Sequence, residues 1–233
     1  GYISYLENND AFTEKYKKLR KIFAKDNIKQ NIKKLYLFHP EFIMFECPYE
    51  IEKIPNISKK DKKIKKILNQ IFDYKVTNLE EYNKKYIFFE ESFFCDGKEM
   101  DDLDLVLSIA NVVGKDNIMV KLHPRNKINR FEECGICTNK SIGIPWEIIQ
   151  MNYDLSDKVF FTISSGSVLA SKLYFNENIT TYLLYNCTIN KSDMVSEKYL
   201  KYLKKIQENN NANNFKIPLS KEEFMEDLQN DKK

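Results

Sequence analysis

The chain of 233 residues is 42% hydrophobic and 13% aromatic, enough to build the core of one large domain or two smaller ones and too apolar for a disordered segment. Its 37 basic and 34 acidic residues leave a formal charge of +3, without the one-sided balance usual for nucleic-acid partners. Five cysteines, odd in number and outside any framework, fit a reducing, cytoplasmic setting, and no apolar run approaches the roughly 18 residues of a membrane span. The chain starts directly on a strand-like run, residues 2–6, without an initiator Met, so an upstream segment is expected. A basic helix over 13–34 and a short strand over Leu35–Phe38 follow, and that strand ends on His39-Pro40. Residues 42–52 leave room for a further strand. Ser58 is positioned to cap a helix over about 59–73, where Ile64, Ile67, Leu68, Ile71 and Phe72 form an apolar stripe, and 74–85 reads as a connector.

A second unit opens with the strand Tyr86-Ile87-Phe88-Phe89, followed by a loop and a helix over about 99–113. Strands over 118–122, 158–163 and 180–185 alternate with helical segments over 147–151, which has Pro145 near its start, and 168–175. Alternating strands and helices predict a mainly parallel sheet. The tail differs: a helix over 195–207, an asparagine-rich loop, and a last helix opened by Ser220 with Glu223 three residues on, a capping-box pattern.

Two stretches carry the chemistry. The strand Met119–Leu122 ends at His123-Pro124-Arg125, and the strand before Ser164-Ser165-Gly166-Ser167 ends in a serine-rich turn into a helix. In a parallel α/β sheet such ends meet at the carboxyl edge, where ligands bind. The serine hydroxyls and helix amides suit a phosphate, although one serine can simply cap the helix. Gly166 would permit close backbone approach. His123 can donate a hydrogen bond to a phosphoryl oxygen or protonate a departing phosphate, and Arg125 can add a bidentate contact. Glu147, at a helix start, can accept hydrogen bonds from ribose hydroxyls or merely complement the helix dipole. A metal is not expected: Asp101, Asp102 and Asp104 lie at a helix start, and the Cys134–Cys137 CxxC lacks companions. The basic runs 15–34 and 59–66 read as solvated helix faces, with contact to anionic lipid as the alternative.

Taken together, Lys121-Leu122-His123-Pro124-Arg125, Pro145-Trp146-Glu147 and Ser164-Ser165-Gly166-Ser167 resemble the motif succession of bacterial lipooligosaccharide-type sialyltransferases, glycosyltransferase family 52, with related motifs in bacterial polysialyltransferases. The resemblance implies a GT-B architecture of Rossmann-like parallel sheets flanked by helices. On that pattern residues 1–84 are the last part of an acceptor-side domain with its connector, 85–187 the CMP-binding domain, and 188–233 helices crossing back. It further implies an inverting transfer of sialic acid from CMP-sialic acid to a surface glycan, lipooligosaccharide or capsule, with no cofactor. The donor phosphate would lie near Lys121, His123, Pro124, Arg125 and the turn Ser164, Ser165, Gly166, Ser167, with Glu147 on the nucleoside. His123 would assist CMP departure. The family's base, an acidic pair followed by Gly, falls on Leu6-Glu7-Asn8-Asn9-Asp10, so Glu7 is the first candidate and Asp10 the second. Expected partners are the nucleotide-sugar donor, a glycan acceptor, the inner membrane face and a second copy in a homodimer, and no nucleic acid. The competing readings are a CDP-polyol phosphotransferase of teichoic-acid-like polymer synthesis and a degenerate, non-catalytic nucleotide-binding module.

Overall fold

The computed structural model describes residues 33–44, 46–75, 80–140, 142–189, 195–209 and 214–231. The strand expected over 2–6, nearly all of the basic helix, and the candidate bases Glu7 and Asp10 lie outside the described residues. The chain divides into two compact units, Gly1–Pro55 and Asn56–Lys233. Residues 56–84, grouped by the sequence reading with the first segment, thus belong to the second unit.

In the first unit, β1 (Lys34–Leu37) pairs in parallel with β2 (Glu50–Lys53). The pair is held at its edge by Lys34, whose ammonium reaches Glu50 at 3.0 Å and Glu52 at 2.9 Å. His39-Pro40 opens a short turn in which His39 Nδ1 lies 2.8 Å from Glu41 Oε1 and the imidazole stacks on Phe42. The dipeptide there organises its own loop.

The second unit is built on six parallel strands: β3 (Tyr86–Phe89), β4 (Ile118–Lys121), β5 (Cys137–Thr138), β6 (Val159–Thr162), β7 (Thr180–Leu183) and β8 (Phe215–Lys216). Their spatial order is β5-β4-β3-β6-β7-β8. Relabelled from the first strand of this unit, that is 3-2-1-4-5-6, the order of doubly wound Rossmann-like sheets. The central strands read as uninterrupted apolar runs because a parallel sheet covered on both faces hides both sets of side chains; all four residues of β3 are buried.

Helices cover the two faces. Tyr86, Phe88, Ile118, Val120, Phe161 and Tyr182 point to one face, where α2 (Asp102–Val113) and the C-terminal helix α6 (Lys221–Asn230) supply Leu105, Ile109, Phe224 and Leu228. Phe89 and Phe160 point to the other, where Trp146 of α3 (Trp146–Asn152) meets both rings edge-on. The chain between β6 and β7 forms a 3-10 turn and α4 (Ala170–Phe175), and α5 (Glu197–Asn209) joins β7 to β8. Among the described residues no helix is long and apolar enough to cross a membrane.

Two helix starts refine the sequence reading. In α1 (Lys62–Ile71) the cap is Asp61, which accepts from the amides of Lys63 and Ile64, whereas the Ser58 hydroxyl accepts from the Lys60 amide further back. At α6, Ser220 accepts from the Glu223 amide as expected, while the Glu223 carboxylate reaches one residue further and accepts from Leu219.

Candidate site at the carboxyl edge of the sheet

The strand order reverses direction at β3, so the crevice above the carboxyl ends of β3, β4 and β6 is where a doubly wound sheet offers a ligand site. The register aligns Phe89 with Lys121 on one side and with Thr162 on the other. His123 and Ser164, two residues beyond those ends, therefore flank β3 from opposite sides, with strand axes roughly 10 Å apart.

What leaves β3 between them is a carboxylate pair, Glu90-Glu91, to which the sequence reading gives no role beyond a connecting loop. The two acids serve opposite neighbours. Glu90 is fully buried; it accepts the His123 amide at 2.9 Å and is paired with Arg130 at 3.2 Å. Arg130 also grips Asp102 through two bonds of 3.0 and 2.7 Å, so the acid that starts α2, as expected, also belongs to a buried ion cluster with Arg130 and Glu90. Glu91 turns to β6: it accepts from the Ser164 amide, from the Ser164 hydroxyl at 2.8 Å and from Thr162 Oγ1 at 3.2 Å. Burial pushes its carboxyl above the ordinary range, and the hydrogen bonds from Ser164 and Thr162 pull the other way.

The serine turn thus performs two tasks at once. Ser164 holds Glu91, while Ser165 accepts from the Ser167 amide and caps the following turn, the plain role that sequence alone cannot separate from anion binding. The Ser165 amide donates to Thr162 Oγ1. Gly166 is exposed, and a Cβ there would meet only the Tyr199 hydroxyl at 3.9 Å, so the packing of the chain itself does not demand glycine. The Tyr199 hydroxyl donates to the Ser164 carbonyl at 3.0 Å, tying α5 to the turn.

On the other flank the His123 ring is half-buried. Its Nδ1 accepts from the Arg125 amide at 3.3 Å, which leaves the proton of the neutral ring on Nε2. Burial, and then the Arg125 and Lys121 charges, hold its pKa below the usual histidine value, against the pull of Asp96. The neutral ring is a hydrogen-bond donor at pH 7 and a poor proton source, which favours the first of its two expected tasks over protonation of a departing phosphate. Pro124 is exposed. The Arg125 guanidinium is engaged by both oxygens of Asp96, at 3.0 and 3.2 Å. Behind it, buried Asn126 accepts from the Cys95 amide and donates to the Glu91 carbonyl, so the turn after His123 and the loop after β3 are clamped together.

Lys121, the last residue of β4, and Glu147 feel each other's charge. Burial pushes the Lys121 ammonium down, and the Glu147 charge opposes that shift from the first turn of α3. The same charge bears on Tyr174, and Tyr174, Tyr199 and Tyr202 all have hydroxyls raised by burial. Perturbed groups gathered at one sheet edge are the usual mark of a functional site, though structural ion networks perturb pKa values too.

Elsewhere, Asp101 accepts from the Ile189 amide at 3.4 Å. Cys134 and Cys137 are free thiols, as are the other three cysteines. No family model matches this chain, and no curated protein or solved structure matches it.

Proposed function

We propose that the second unit is the nucleotide-binding part of a metal-independent glycosyltransferase that carries sialic acid from CMP-sialic acid to a bacterial surface glycan. The observation that carries this reading is the convergence of His123 and the Ser164–Ser167 turn on the two sides of β3, at the switch point of a 3-2-1-4-5-6 sheet. The His123 Nε2–H would donate to the donor phosphate, and the exposed side of the serine turn, at Gly166 and Ser167, would receive the same anion. Glu147 and the tyrosines would face the nucleoside. Lys121, positive and half-buried, would complement charge developing as CMP leaves; fixed donors in a crevice can supply stabilisation otherwise given by a metal. Glu7 or Asp10 would serve as the acceptor base. GT-B architecture belongs to this proposal.

Glu91 favours one competing reading, the non-catalytic nucleotide-binding module, because a carboxylate already occupies the Ser164 donors. Donor hydrolysis separates the two. The full-length protein should release CMP from CMP-sialic acid without added metal, and His123→Ala should slow that release by about a hundred- to a thousandfold, the usual cost of removing one preorganised donor to developing charge. Binding of CMP without hydrolysis supports the module, and saturation by CDP-glycerol instead points to the polyol phosphotransferase.

A further inference from the structure

The first turns of the second unit hold a surface that the donor site does not use. Between Lys59 and Lys66 six of eight residues are lysine, and α1 carries this charge next to an apolar stripe turned outward. Ile64 is 39% exposed, Ile67 45%, Ile71 66% and Phe72 41%, and no residue of α1 is buried. The spacing i, i+3, i+7, i+8 sets these four side chains on one face, an arrangement that normally buries itself against a core. Here the helix is attached by another side: Asn69 exchanges hydrogen bonds of 2.9 and 2.7 Å with Asn152 of α3, and Leu68 and Lys65 are half-covered. Lys62, Lys63 and Lys66 enter no ion pair among the described residues, whereas Lys59 is bound to Glu177.

We infer that α1 is an interfacial anchor that lies on an anionic lipid bilayer, with Ile64, Ile67, Ile71 and Phe72 at the acyl boundary and Lys62, Lys63 and Lys66 among the headgroups. High amphipathicity, low mean hydropathy and a lysine-rich polar side are the properties of helices that rest in the membrane interface without spanning it. A groove of about 460 Å³ along the same helix is walled by Lys62, Lys65 and Lys66 with Asn69 and Tyr74, and Asp73 is the acid at its end. The charge decides among occupants. A second copy docked symmetrically would set two lysine-rich faces against each other, which like-charge repulsion opposes. A nucleic acid would use the lysines but leave the isoleucines in water. A bilayer carrying phosphatidylglycerol satisfies both halves of the surface, and clusters of four to eight basic residues are the usual size for such recognition. The inference is independent of the donor site, so either can stand without the other.

Flotation of the full chain with phosphatidylcholine vesicles, with and without phosphatidylglycerol, tests it. The protein should float only with the anionic vesicles and should be released by high salt. Each lysine is worth about fivefold in partitioning, so joint Lys62→Glu, Lys63→Glu and Lys66→Glu should weaken binding by about a hundredfold or more. Ile67→Ser with Ile71→Ser should also lower it, at an unchanged melting temperature, since these side chains are already exposed. Absence of flotation overturns the inference, and so does full flotation of the triple lysine variant. Loss of a lipid-free dimer in the Ile67→Ser, Ile71→Ser variant, seen by sedimentation, would assign the face to a second copy and overturn it equally.

Discussion

Glu91 accepts both the backbone N–H and the hydroxyl of Ser164, so the donors that a serine turn would offer an incoming anion are held by a side chain of the same chain, from a residue 73 positions earlier. This contact sets what the site does in the absence of ligand. It keeps the turn ordered, and it makes the protonation state of one buried acid a variable of the whole crevice.

The stability of the second unit should respond to pH through Glu91. Its folded carboxyl titrates above the ordinary value of 4.5, so the folded state holds this proton more tightly than the unfolded chain. The stabilisation is fully present below about pH 4.5 and is lost as pH rises through the folded value. Glu91→Gln should therefore melt higher than the wild type at neutral pH, and the difference should shrink as pH is lowered toward 4.5. Thermal melts of both proteins across this range check it; parallel curves would mean that burial does not perturb Glu91.

Binding of CMP should be sensitive to the same residue. An ionised Glu91 competes with the phosphate for the turn and repels it, whereas the Glu91→Gln substitution keeps the shape of the side chain and removes its charge. Calorimetry should give about tenfold tighter binding for Glu91→Gln than for wild type at neutral pH, equivalent to roughly 1.4 kcal/mol. A weaker complex would show instead that the carboxylate itself contacts the ligand, for example through a ribose hydroxyl.

His123 should titrate below 6.5, since burial and the Arg125 charge both disfavour the imidazolium. For a base with a depressed folded value, its contribution to stability is complete above pH 6.5 and is lost as pH falls from there through the lower folded value. The chain has two histidines, so an NMR titration with His39→Gln for assignment is direct. Arg125→Ala should raise the His123 value, and Asp96→Asn should lower it. An Nδ1–H tautomer by nitrogen shifts would contradict the bond from the Arg125 amide.

Arg130→Ala should be among the most costly substitutions in the second unit. It would leave Glu90 and Asp102, both nearly inaccessible, without their shared cation. Removing one partner of a buried ion pair costs about 3–5 kcal/mol, or roughly 6–20 °C in melting temperature for a unit of this size. Hydrogen exchange should rise first in the loop after β3, which Arg130 braces through the ring of Phe94 at 4.3 Å.

The parts of this arrangement differ in how far they can be read in advance. Strands β3, β4, β6 and β7 are apolar runs bounded by polar residues, and their ends fall within one or two residues of expectation because burial on both faces leaves a continuous pattern. Cys137–Thr138 and Phe215–Lys216 are too short to carry any period, and only their pairing with Met119 and Thr181 makes them strands. The stripe of α1 is legible as a stripe, but not that it faces outward, since periodicity records a face and not what covers it. At the site, His123 and the serines stand out by residue type. Glu90 and Glu91 carry a signal as well, an acidic pair directly after a buried strand at the binding edge. Their partners cannot be seen, because His123, Arg130 and Ser164 lie far away in sequence and are brought near only by the sheet.

The two shortest strands have a consequence for solubility. A sheet with long unpaired margins is a template on which another chain can add, and growth along that direction leads to aggregates. Here the outermost members, β5 and β8, are only two residues long each, and beyond the end of β5 the Lys140 amide is taken by Glu81. The apolar interior of six strands is therefore closed off by its own brevity at the rims, so among the described residues the sheet presents no long hydrogen-bond ladder to another chain.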